Sequence, residues 1–94
     1  MTLSQFKKDL HLGLKFRVKE HGIRKERENL TCYVSKIQTN GFYNVYDNDI
    51  DKKDIWLEFP KANAFDYNGK VASFYFPIEK NNNEKILLIS FEKI

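Results

Sequence analysis

The side chains best suited to chemistry in this chain are the carboxylates of Asp47-Asn48-Asp49-Ile50-Asp51, the imidazoles of His11 and His21, and the thiol of Cys32. Carboxylates at alternate positions from Asp47, with Glu58 at the twelfth place, follow the ligand spacing of a calcium-binding EF-hand loop. The match fails where that loop's geometry is decided. Lys52 stands at the sixth position, where glycine permits the sharp turn, Asp54 replaces the usual apolar eighth residue, and both flanks read as strands rather than helices. A solvated loop between strands is the expected structure. Imidazole and thiolate are zinc donors, but no two of His11, His21 and Cys32 stand at a short ligand spacing. His11 is expected in the last turn of a helix, against exposed carbonyls, and Cys32 on the apolar side of a strand, as a small hydrophobe. Nucleophilic catalysis needs a hydroxyl or thiol activated by a neighbouring base. No phosphate-cradling glycine loop, nucleophile elbow or paired-carboxylate signature marks one here. The chain is expected to bind rather than to catalyse, with no metal and no cofactor.

The binding residues are sought among cations and aromatics. Lys15, Arg17 and Lys19 alternate with Leu14, Phe16 and Val18, so they line one side of a strand, and Arg24, Lys25 and Arg27 follow in a charged stretch. With the interleaved rings of Tyr33, Tyr43 and Tyr46 they form a surface on which bases can stack while cations follow phosphates. The same side chains on an exposed strand also serve solubility and block edge-to-edge pairing, or meet a protein partner. Trp56, in Trp56-Leu57-Glu58-Phe59-Pro60-Lys61-Ala62, is the only tryptophan. Tryptophan is a hot-spot residue at interfaces, yet a lone one in a small domain more often anchors the core, and Trp56 is expected there first.

The elements that must position these residues are short. Thr2-Leu3-Ser4-Gln5 reads as a capping box, Leu3, Phe6 and Leu10 form one apolar stripe, and Gly13 is expected to end the helix. Leu14 to Lys19 is the clearest strand. The charged stretch from Glu20 to Asn29 reads as an exposed, mobile loop. Alternation resumes at Leu30, Cys32 and Val34, and Asn40-Gly41 is expected to turn the chain into Phe42–Tyr46 through residues of positive φ. Ile55 to Phe59 is a strand stopped by Pro60, followed by a turn or single helical turn through Ala64. Phe65-Asp66-Tyr67, Asn68-Gly69 and Lys70 to Phe76 form a second hairpin. Lys80-Asn81-Asn82-Asn83-Glu84 is a loop, and Lys85 to Lys93 a last strand whose apolar run from Ile86 to Ile89 implies burial on both faces. The fold class is α+β and mostly β: an N-terminal helix within residues 1–13, then about six antiparallel strands over 14–94 in a small SH3-like or OB-like barrel or bent sheet, all as one domain.

Composition narrows the setting. Residues 1–28 hold eight Lys/Arg against four Asp/Glu, and residues 29–94 hold eight against nine, so a +4 front precedes a −1 remainder. That supports attraction to an acidic partner but falls short of the dense basic face of a duplex binder. One cysteine forbids an internal disulfide. With no signal-peptide pattern and no long apolar run, a reducing, cytoplasmic setting without membrane contact is expected, as a monomer or small homo-oligomer.

The short leading helix, Asn40-Gly41-Phe42-Tyr43, Trp56 followed by Phe59-Pro60-Lys61-Ala62, and a final β run resemble short uncharacterised proteins of phages and mobile elements in low-GC Gram-positive bacteria. That class includes anti-CRISPR inhibitors of host defence and accessory DNA-binding proteins. What the resemblance implies is a non-enzymatic protein that covers a functional surface of host nucleic-acid machinery. The alternative is a direct single-strand nucleic-acid binder. On either expectation the partner-binding residues are Lys15, Arg17, Lys19, Arg24, Lys25, Arg27, Tyr33, Tyr43 and Trp56.

Overall fold

Thr2 caps the single α-helix among the described residues. Its Oγ1 accepts from the Gln5 N–H at 3.3 Å, satisfying one of the amides that a helix start leaves open. Helix α1 runs Leu3–Asp9 in a computed structural model that describes residues 2–77 and 85–94. Only half of the capping box forms, because Gln5 turns its amide to Asp9 Oδ1 (3.0 Å) rather than back to the cap. The helix also stops earlier than Gly13. Leu10 is already extended, and Gly13, at φ +84°, instead shapes the following turn, its N–H donating to the Val34 carbonyl at 2.8 Å.

Among the described residues seven strands follow where about six were expected: β1 Lys15–His21, β2 Thr31–Gln38, β3 Gly41–Tyr46, β4 Ile55–Glu58, β5 Phe65–Tyr67, β6 Val71–Tyr75 and β7 Leu87–Lys93. Short 3-10 turns occupy Lys25–Arg27 and Ala62–Ala64. All pairings are antiparallel, in the order β4-β3-β2-β1-β7-β6-β5. The last strand thus joins a four-strand meander to a hairpin by lying between β1 and β6. The Lys80–Glu84 loop expected from sequence lies outside the described residues.

The ladder ends at β4 and β5, so this is an open sheet, but it is strongly coiled. Phe42 of β3 and Phe74 of β6 are separated by three intervening strands, a span of about 19 Å on a flat sheet at ordinary strand spacing. Their ring centroids are 6.4 Å apart. Register shifts at Val18/Glu20, Val34/Lys36 and Phe74/Tyr75 mark the bulges that increase local twist and bend the strands around the hollow.

The two Asn-Gly turns are built differently. Gly69 does adopt positive φ (+92°), with Asn68 Oδ1 accepting from the amides of Lys70 (2.9 Å) and Val71 (2.7 Å). At the first turn Gln38 pairs with Gly41 across Thr39-Asn40, and neither Asn40 nor Gly41 has positive φ. Glycine is needed at 41 for space: a Cβ there would lie 2.3 Å from the Leu57 carbonyl oxygen and 2.8 Å from the Trp56 ring. The run Ile86–Ile89 is also less buried than expected, with Ile86 exposed and Leu87 and Leu88 half-buried.

The core lies in the hollow, and Phe6 fills it. Its ring contacts Phe16, Phe42, Phe65, Tyr67 and Phe74 at centroid separations of 5.2–6.3 Å. Around its C-terminal end, Asp9 accepts from Tyr67 Oη (2.5 Å) and pairs with Lys93 Nζ (3.4 Å), tying helix to sheet. These hydrogen bonds, Tyr67 foremost, hold the Asp9 carboxyl below its ordinary value of 3.8. Because Phe6 is fully buried among five rings, Phe6→Ala is expected to cost about 3–5 kcal/mol. Urea unfolding measures this, and a loss below about 1 kcal/mol would show that the helix is not integral to the core.

Candidate partner-binding surfaces

The alternation of β1 decides where its cations point. Phe16 and Val18 are buried, so Lys15, Arg17 and Lys19 lie on the convex side. Lys15 pairs with Tyr33, and Tyr33 with Val45, placing Tyr33 on the same side. Tyr43 stands two residues from Val45 and pairs with Trp56 on β4. Lys15, Arg17, Tyr33, Tyr43 and Trp56 therefore share one face.

Trp56 is not a core anchor. It is 40% exposed, because on the four-residue edge strand Ile55 and Leu57 take the inward positions. Its ring packs over Gly41 and lies 5.0 Å from the Tyr43 ring, with Lys36 Nζ 6.0 Å from Tyr43 on the same patch. The missing side chain at Gly41 gives the indole a seat and leaves its outer side to solvent.

The cations are largely committed to carboxylates. Arg17 meets Glu92 at 2.9 Å, Lys15 meets Asp47 at 4.0 Å, Arg24 meets Glu26 at 3.8 Å and Lys25 meets Glu28 at 3.7 Å. Arg27 lies over the Tyr46 ring at 5.1 Å. Of the six, Lys19 alone makes no ion pair or ring contact among the described residues.

Arg24, Lys25 and Arg27 do not extend the convex face. The 20–29 segment is a hydrogen-bonded turn rather than a loose loop: Glu28 Oε2 accepts from the His21 N–H (3.0 Å), the Asn29 N–H donates to Val18 (2.7 Å), and Asn29 takes the left-handed conformation at φ 69°. The turn carries Arg24 and Arg27 to the mouth of the hollow. There they border a cavity of about 310 Å³ together with His21, Asn44 and Tyr46, over an apolar floor from Ile55, Leu57, Leu88, Ile89 and Phe91.

Two polar groups of this cavity were not among the residues expected to bind a partner: Asn44, and His21, weighed from sequence only as a metal donor or base. His21 Nδ1 accepts from the amides of Ile23 (3.2 Å) and Arg24 (2.9 Å), so the ring proton sits on Nε2. Burial, with Arg27 nearby, holds the His21 imidazole below its ordinary 6.5. Asn44 is 2% exposed; its Nδ2 donates to the Ile55 carbonyl (3.1 Å), while its Oδ1 has no protein partner. The signal for Asn44 was its inward place between Phe42 and Tyr46 in an alternating strand. His21 was masked by the bulge at Lys19, which shifts the inward positions of β1 by one.

Of the residues first weighed for catalysis and metal, His21 lines this cavity, while Cys32, His11 and the acidic loop are not part of its lining. Cys32 is fully buried, and burial, with Asp47 adding, pushes its thiol up to about 12, where no reactive thiolate forms. Burial likewise raises Tyr46 to about 12. His11 is exposed beyond the helix end, its Nδ1 3.1 Å from the Leu12 carbonyl oxygen. In the acidic loop, Asp49 accepts from the amides of Asp51 (3.1 Å) and Lys53 (3.2 Å), Asp47 from Thr31 Oγ1 (2.5 Å) and Asp54 from Ser35 Oγ (2.7 Å). Among the described residues no three His, Cys, Asp or Glu side chains are grouped to hold a metal. Nor is any helix among them long and apolar enough to cross a membrane.

No family model, curated protein or solved structure matches the chain.

The His21 geometry has a consequence in acid. Between 6.5 and its lowered folded value, the unfolded chain binds more protons than the folded one. Stability from neutral His21 is therefore present above pH 6.5 and lost as pH falls through the folded value, where protonation of Nδ1 ejects the two amides. His21→Asn retains an acceptor that does not titrate, and is expected to flatten the stability profile between pH 7 and 5. Urea midpoints across that range test it, and an unchanged slope would remove His21 as its source.

Proposed function

We propose that this chain is a non-enzymatic binding protein whose convex face docks on a protein partner, with Trp56 and Tyr43 as the anchor. The partner class follows from the sequence resemblance to small mobile-element proteins: a component of host nucleic-acid machinery, covered on a functional surface. The observation that carries this choice is the exposed Trp56 packed on half-buried Tyr43, beside cations already matched to carboxylates. Aromatic anchors in a polar rim are how protein interfaces concentrate affinity. Cations matched to neighbouring carboxylates release fewer counterions to a polyanion than free ones do, which lowers the return from phosphate contact. The setting of this reading is cytoplasmic.

A second reading, direct single-strand binding, draws support from Lys36 beside the Tyr43 ring, since stacked bases and a nearby cation form such grooves. The two separate on salt. On the first, affinity for poly(dT) is weak at ordinary ionic strength and changes little when Lys15, Arg17 and Lys19 are replaced by glutamine. On the second, it is tight at low salt, falls steeply as salt rises, and loses slope with each cation removed. Trp56→Ala, at an exposed edge position, is expected to keep the fold and to weaken capture of a specific host protein by about thirtyfold, the scale of a hot-spot residue. Capture unaffected by both Trp56→Ala and Tyr43→Ala would move the interface elsewhere.

A further inference from the structure

The edge strand β4 turns unpaired backbone groups outward, and its register shows which. The Phe59 N–H donates to the Asn40 carbonyl at 2.8 Å, so Asn40 and Phe59 form a hydrogen-bonded pair. In an antiparallel ladder such pairs alternate with pairs that exchange no bond. Counting back along β4, Leu57 opposite Phe42 and Ile55 opposite Asn44 direct their N–H and C=O groups to β3, while Trp56 and Glu58 direct theirs away from it. The Leu57 carbonyl that crowds Gly41, and the Ile55 carbonyl that accepts from Asn44 Nδ2 at 3.1 Å, agree with this assignment. Among the described residues no strand pairs with the outer side of β4. Open edges are commonly blunted by lysine, proline or a bulge, and Ile55–Glu58 holds none of these. The other edge strand, β5, has three residues and lies against α1, where Phe6 meets Phe65 and Tyr67.

A groove follows the same strand. Two cavities of about 310 Å³ each share Leu57 and Leu88 as lining; one continues along Ile55 and Trp56, the other along Glu58 and Phe59 with Phe74 on its far wall. We propose that an extended segment of the protein partner adds a strand to β4 along this groove, an inference that rests on the protein-docking reading and names the part of the partner that docks. An added strand sets successive side chains on opposite faces of the sheet. Those level with Ile55 and Leu57 enter the groove, and the one level with Trp56 lies beside the indole on the convex face. The exposed anchor and the groove thereby serve one ligand. Charge gives the segment its remaining chemistry. At the Ile55 end the lining holds Arg24 and Arg27 but no carboxylate, and among the described residues Arg27 meets a ring and no acid. A segment with apolar residues at alternate positions and an Asp or Glu at the end beside Ile55 complements that lining.

Amide hydrogen exchange and peptide titration test the assignment. In the free protein the Leu57 amide, bonded to β3, is expected to exchange about tenfold or more slowly than those of Trp56 and Glu58. The probes are the capped peptides Asp-Val-Thr-Val-Thr-Val and Val-Thr-Val-Thr-Val-Asp, one for each strand direction. One of them is expected to bind one-to-one below about 1 mM, to change the emission of Trp56, the only tryptophan, and to slow exchange at Trp56 and Glu58. Methylating one alternate set of its amides abolishes binding and methylating the other set does not, while lysine in place of aspartate weakens it about fivefold. Glu58→Pro removes an outward N–H and no bond to β3, so the fold is kept and the peptide is lost. Equal exchange at Leu57, Trp56 and Glu58 in the free protein, protection of Trp56 and Glu58 by a dimer seen in sedimentation, indifference to which amides are methylated, or no peptide binding at millimolar concentration overturns the added strand. Host-protein capture lost in Trp56→Ala but kept in Glu58→Pro also overturns it and leaves the docking face standing; capture kept in Glu58→Pro, Trp56→Ala and Tyr43→Ala alike removes the docking face as well.

Discussion

Everything in this structure depends on one ring in one hollow. A seven-residue helix has no stability of its own in water, and a coiled sheet open between its edge strands has no centre of its own. Phe6 resolves both by entering the hollow and touching rings from β1, β3, β5 and β6, so that strands distant along the ladder pack on a common object. The bond from Tyr67 to Asp9, with Lys93 beside it, then fixes the angle at which the helix lies. The apolar half of the contact supplies affinity between helix and sheet; the polar half supplies direction.

Much of this was legible as alternation. The inward set Phe16, Val18, Cys32, Val34 and Phe42, the stripe Leu3-Phe6-Leu10 and the two hairpins all follow from spacing, because a residue's face is set by its neighbours two or four places away. What was not legible depended on strands distant in sequence. The position of β7 between β1 and β6 makes the end of the chain central, and no local pattern encodes that. Gly41 looked like a turn residue by its Asn-Gly context, whereas its real constraint is the close approach of the Leu57 carbonyl and the Trp56 ring on the neighbouring strand β4. Trp56 itself looked like core by type, and was placed outside because β4 is short and its inward positions belong to Ile55 and Leu57.

The candidate surface shows the same division. Sequence located the cations and tyrosines but counted charge along the chain, where residues 1–28 carry a surplus of four. The fold redistributes it. Glu92 arrives beside Arg17 from the far end of the chain and Asp47 beside Lys15 from the loop after β3, so the basic strand becomes a mixed face. Exposed pairs of this kind add little to stability, about 0–1 kcal/mol each. Their effect is on partner choice, since a mixed face has a weaker field at a distance than six free cations.

The hollow itself poses the sharper question, because its two walls are chemically unlike. Where the helix fills it, the lining is phenyl rings and one matched carboxylate. Where the helix does not reach, the lining turns to His21, Asn44 and Tyr46. A valine or leucine at position 44 would satisfy the alternation of β3 and remove the unpaired Oδ1, but it would also take from the Ile55 carbonyl the bond that Asn44 Nδ2 gives it, so the amide trades one buried oxygen for a tie to the edge strand. His21 is held in one tautomer by the turn that follows it, its Nδ1 taking the amides of Ile23 and Arg24, so the same ring that lines the hollow also caps the chain reversal beside it. In a domain whose whole folding free energy is of the order of 5–15 kcal/mol, these two side chains act as polar ties where the helix does not reach, Asn44 binding the short edge strand to β3 and His21 binding the 20–29 turn to β1, at the cost of one amide oxygen left without a partner.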